Sequence, residues 1–136
     1  MTNRERADQL LAEGVAIAGE MRQALEGRRW NLAVRRAQEV VELVTKSLLN
    51  EMGVEYPREH DAAPVLTEAL RVRRLETDPP FLEWLRSLSR RLARLRGPVF
   101  YHEVEASELE ARGVGGDAER VLGFGQDLLG RLRGKP

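Results

Sequence analysis

With 136 residues, 42% of them hydrophobic and 32% charged, the chain has a globular composition and the length for one domain rather than two. Its 22 Lys and Arg balance 22 Asp and Glu, so no overall field argues for nucleic acid. The absence of cysteine excludes a disulfide framework and a thiolate metal site, and two histidines cannot build a zinc site without carboxylate help.

No apolar run approaches the roughly 20 residues of a membrane span. The N-terminal "MTNRERADQLL" lacks the apolar stretch of a signal peptide, so a soluble, cytoplasmic protein without a membrane anchor is expected. The neutral total hides a gradient. Residues 71–102 hold eight arginines against three acids, and both flanks are net acidic.

Strand signals are poor and helical periodicity is strong. A first helix is expected over about residues 5–26, with Leu10, Val15, Ile17, Met21 and Leu25 on or near one stripe and Gly27 as its terminator. Asn31 then reads as the N-cap of a second helix over about 31–52, the cleanest of the chain. There Ala33, Ala37, Val40, Val44 and Leu48 recur at steps of three and four, flanked by Val34, Val41 and Leu49.

"YPREHD" reads as a loop, with Asp61 as N-cap of a shorter third helix to about Arg74. Asp78 reads as the cap of a fourth helix over about 80–96, with Pro79 and Pro80 in or before its first turn, where the missing N–H costs little. Gly97-Pro98 is expected to end or kink that helix. Residues 103–116, acidic and then glycine-rich, read as a loop with some helical content, before a last helix over about 117–133. A single-domain (1–136), all-α, antiparallel bundle of four or five helices follows.

The block "RRAQEVVELVTKSLLNEMGVEYPREHD" carries a resemblance. Ala37-Gln38, Glu42, Lys46, the Ser47-Leu48-Leu49 run, Gly53, Pro57 and His60-Asp61 are similar to the central pattern of the HEPN superfamily. The "ALEGRRWNLAVRRAQE" upstream and "LRGPVFYHEVEAS" with the closing helix downstream extend the likeness over about residues 5–133. The resemblance implies a HEPN-like helical bundle. It also implies a homodimer or higher homo-oligomer, a separate minimal nucleotidyltransferase as partner, and RNA or nucleotide as ligand, with no cofactor.

Many HEPN proteins are metal-independent endoribonucleases marked by an arginine and a histidine four to six residues beyond it. Arg96 and His102 are separated by five residues. The resemblance implies that Arg96 would hold a phosphate and His102 would act as acid or base, two such pairs meeting in a dimer cleft as in a toxin of a toxin–antitoxin pair. Against this stands Gly97-Pro98 between the two partners, and a plain helix end with an incidental histidine is the other reading.

Arg86, Arg90 and Arg94 form an i,i+4 stripe, either a nucleic-acid face or a solvated one paired with the acidic segment 103–110. Tyr101 is either a modification site, as the resemblance implies, or an amphipathic residue packed at a helix end. Glu42 and Lys46, at i,i+4, read as a helix-supporting pair or a ligand contact, and His60 as a capping or a functional residue. The chain has no P-loop, GxSxG or HExxH signature.

Overall fold

The computed structural model describes residues 1–56 and 58–134, with only the backbone of Phe100. Pro57, placed by its sequence in the loop after the second helix, lies outside the described residues.

Helix α1 (Asn3–Glu26) starts at a capping box: Glu5 N–H donates to Thr2 Oγ1, and Thr2 N–H donates back to the Glu5 carboxylate. Its buried row is Ala7, Gly14, Ala18, Met21 and Ala24. The expected stripe is therefore rotated. Of its five members only Met21 is buried, and Val15 is 42% exposed. Small residues face the neighbour, and a Cβ on Gly14 would make ordinary van der Waals contact, 3.6 Å from a Val44 methyl.

The chain turns at Gly27-Arg28 and enters α2 (Trp30–Met52). Gly27 keeps an ordinary φ of −81°, and Arg28 takes the left-handed position at φ 58°. Asn31 is not the N-cap. That place falls to Arg29, which makes no side-chain cap bond, and Asn31 lies inside the first turn with its side chain pointed elsewhere. The predicted apolar row of α2 holds throughout, with Ala33, Ala37, Val40, Val44 and Leu48 at most 1% exposed. All other helices pack on α2, and α1 and α5 also touch each other. Each fully buried Leu or Val of this hub contributes about 1.5–3 kcal/mol.

Helix α3 (Ala63–Val72) begins one residue later than expected and ends two earlier. Asp61 does not cap it. Its carboxylate accepts from Ser89 Oγ at 2.7 Å, tying the loop to α4 (Pro79–Phe100). Asp78 caps α4 as predicted, accepting from Phe81 N–H at 3.2 Å.

Gly97-Pro98 does not end α4, which runs through both residues to Phe100. Pro98 removes one amide donor, but the loss falls in the last turn. Val99, 3% exposed, anchors that turn in the core. The helix then closes with Glu103 N–H donating to Pro98 O at 2.8 Å and His102 N–H to Val99 O at 3.2 Å. The residue that takes the left-handed position in this closure is His102, at φ 56°.

The loop expected at 103–116 is shorter than predicted. Helix α5 (Glu108–Leu132) starts at a second capping box, between Ser107 and Glu110. The "GVGGD" glycines lie inside it. Gly125 is needed for packing, since a Cβ there would stand 2.4 Å from Val44 Cγ1; at Gly115 a Cβ would stand 3.0 Å from Leu25 Cδ1, a tight approach that Leu25 would have to relieve. What reads as a breaker in sequence is a site of close helix approach.

Ion pairs tie the helices of the bundle together. Arg22 on α1 grips Glu119 on α5 with two bonds of 2.6 and 2.7 Å. At the far end Arg133 donates to Asp8 at 2.6 Å, to Glu51 at 2.7 and 3.2 Å, and to the Arg4 carbonyl at 3.4 Å. The hydrogen bonds to Glu51 lead in raising the Arg133 pKa. No strand occurs among the described residues, and none of their helices is long and apolar enough to cross a membrane.

Candidate functional site

The end of α4 delivers two chemically different positions, and each is built by a residue of α2. Arg96, half-buried, points back toward α2. Its Nη1 donates to Gln38 Oε1 and lies 3.9 Å from Glu42 Oε1. Gln38 Nε2 in turn donates to Glu42 Oε1 at 2.8 Å.

Lys46 Nζ reaches the other Glu42 oxygen at 2.9 Å, and His60 Nδ1 stands 2.9 Å from Oε1. Burial alone would raise the Glu42 pKa, but hydrogen bonds from Gln38, Lys46 and His60 outweigh it and hold the carboxyl below its ordinary range. Gln38, Glu42, Lys46 and Asn50 thus form an i,i+4 polar row, and Asn50 ends it with bonds to the Lys46 carbonyl and the Tyr56 hydroxyl, both 2.8 Å. A small cleft of about 160 Å³ opens beside Arg96, lined by Glu13, Glu39, Glu42 and Leu43.

His102 stands in different surroundings. It is exposed, and its Nδ1 lies 3.2 Å from Asn31 Nδ2. Asn31 also accepts from Ala106 N–H at 2.7 Å and donates to the Val104 carbonyl at 3.1 Å. One α2 amide therefore fastens the whole 102–106 turn. His102 lines a cleft of about 380 Å³ with Arg29, Trp30, Asn31 and Glu105. Arg96 and His102 line separate clefts, with different α2 residues as their described partners.

Tyr101, next to His102, is 78% exposed. Arg86, Arg90 and Arg94 all face solvent on α4. No ion pair among the described residues joins this stripe to the acidic segment 103–110. Glu108 instead pairs with Arg112 at 2.9 Å and with Arg28 at 4.0 Å. Glu42 and Lys46 do pair as their spacing indicates, and His60 joins them rather than capping α3.

Sequence reasoning missed the two organisers of this region. Gln38 was legible only as part of a motif, and Asn31 only as a helix start. Their partners lie 58 and 71 residues away, beyond any local periodicity. Between α4 and α5 lies a further cleft of about 280 Å³, lined by apolar residues such as Val34, Leu95 and Leu109 together with Arg91, Glu110 and Asp117. Among the described residues no group of three or more His, Asp or Glu side chains is arranged to hold a metal ion.

Residues 8–128 match the model of one protein family, described as the HEPN domain. Comparison with curated proteins and with solved structures gives no match.

Proposed function

The chain belongs to the HEPN domain family, and from that premise we propose that it is a regulatory module that binds nucleotide, RNA or a protein partner, acting beside a separate minimal nucleotidyltransferase. The observation that carries this reading is the capture of Arg96 by Gln38 and Glu42. A guanidinium already bonded to a neutral amide and lying beside a carboxylate is a poor phosphate clamp until those partners let go. The exposed Arg86, Arg90 and Arg94 give such a module a cationic face for an anionic ligand. Affinity capture with the tagged chain from its source cell tests this. Recovery of a nucleotidyltransferase is expected, and its absence together with no binding of nucleotide or RNA overturns the reading.

A second reading, a metal-independent endoribonuclease using Arg96 and His102, is favoured by one feature. His102 is exposed, sits in a left-handed backbone conformation and has its ring steered by Asn31. Non-glycine residues in such conformations cluster at functional sites. In this reading the imidazole exchanges a proton with the 2′-hydroxyl or the leaving oxygen, and the guanidinium offsets charge on the phosphate. It requires that RNA incubated with the protein and a chelator be cleaved to 2′,3′-cyclic phosphate ends, and that His102→Ala abolish cleavage. Equal inactivity of both proteins over varied RNAs removes it.

A further inference from the structure

Asn31 sits in the first turn of α2 with both ends of its side chain committed. Its Oδ1 accepts from Ala106 N–H at 2.7 Å, and its Nδ2 donates to the Val104 carbonyl at 3.1 Å. These backbone partners fix which end of the amide is which. A flipped side chain would lose both bonds and set donor against donor and acceptor against acceptor. The NH2 end is therefore the end that faces His102 Nδ1, at 3.2 Å.

An amide NH2 only donates, so Nδ1 can join it only as a bare, accepting nitrogen. In a neutral imidazole one nitrogen is bare and the other protonated, which places the proton on Nε2. Among the described residues the competing acceptor for the Asn31 amide, the Val99 carbonyl, stands farther off at 3.5 Å. Both partners are anchored. Asn31 is half-buried on the hub helix, and the His102 N–H donates to Val99 O at 3.2 Å.

We propose that Asn31 is a positioning residue for His102: it holds the neutral imidazole as the Nε2–H tautomer, so that the nitrogen left to a ligand is a donor. A ring held this way bonds an oxygen through Nε2–H, as a neutral histidine does when it serves as an electrophile. Arg29 lines the same cleft, so an anionic oxygen fits best. No bare nitrogen remains to take a proton from a hydroxyl. The base role that the ribonuclease reading gives His102 therefore requires Asn31 to let go first. The lock rests on that reading for its chemical consequence and on the Asn31 contacts alone for its geometry.

The test is imidazole nitrogen NMR on protein carrying 15N-labelled histidine, at about pH 9, well above the ordinary histidine value of about 6.5. The chain has two histidines, and the spectrum of His102→Gln identifies the signals of the other. In the wild type, His102 Nδ1 is expected to resonate as a bare nitrogen and Nε2 as a protonated one, the Nε2–H form exceeding the other at least about tenfold. Asn31→Asp, which turns an accepting oxygen toward Nδ1, is expected to reverse the ratio. Slow hydrogen exchange at the Ala106 amide shows that the turn of this variant is still fastened.

A smaller ratio in the wild type overturns the lock, as does an Asn31→Asp protein that keeps the wild-type ratio with Ala106 protected. Should that protection be lost, the wild-type ratio alone decides. A locked tautomer in a protein that cleaves no RNA removes the ribonuclease reading and leaves the lock standing. Cleavage that depends on His102 alongside mixed tautomers removes the lock alone.

Discussion

Arg96 and His102 are neighbours in sequence and opposites in environment. Arg96 joins a half-buried network in which each of its described partners is itself bonded. His102 sits outside the core, on a left-handed residue, steered by one amide. Spacing along a chain fixes how far apart two groups can be, but the helix packed beneath them decides what each can do. Here α2 supplies both undersides, with Gln38 and Glu42 below the arginine and Asn31 below the histidine.

The contrast is sharpest if the Arg96 side is a stability element. Glu42→Ala would strip a partner from Gln38, Lys46 and His60 at once, and is expected to destabilise by about 2–4 kcal/mol in urea unfolding. A loss below about 0.5 kcal/mol would make the network decorative. The same carboxyl gives a pH signature. Its folded pKa lies below its unfolded value, so its stabilisation is present above the ordinary carboxylate value of 4.5 and is lost as pH falls through the depressed one. Glu42→Gln should therefore flatten the acid limb of the stability profile, and an unchanged limb would place the titration elsewhere.

On the His102 side the expected effects are smaller and differ in sign. Asn31→Ala should cost about 1–2 kcal/mol and speed hydrogen exchange at the Ala106 amide while leaving α2 amides protected. His102→Gly should stabilise by about 0.5–1 kcal/mol, because glycine relieves the left-handed strain by more than it adds unfolded-state entropy. If the imidazole–Asn31 contact matters more than the backbone, thermal unfolding will show a loss instead. Tyr101→Phe, at a side chain 78% exposed, should shift stability by no more than about 0.5 kcal/mol.

What the sequence revealed and what it hid follow one rule. The α2 row, the Asp78 cap and the Glu42–Lys46 pair were legible because their partners lie within one or two helical turns. Gly97-Pro98 and the glycines of α5 misled, because local propensity marks them as breakers. Burial of Val99 in one case, and close approach of Leu25 and Val44 in the other, overrode that propensity. The α1 stripe was misassigned for a related reason: its leucines are bulky, and the interface with α2 needed alanine and glycine. The capping roles given to Asn31 and Asp61 failed because tertiary acceptors and donors outbid the local ones.

The clamp at Arg133 has a consequence for topology. One guanidinium gathers the first turns of α1, the last turn of α2 and the end of α5, so the path through the five helices returns almost to where it started. A chain so closed has no privileged origin. Its helices could be strung in rotated order, opened at the exposed 101–107 turn and joined across the clamp, with the same packing as destination. Only the sequence in which contacts form would change, and with it the folding rate.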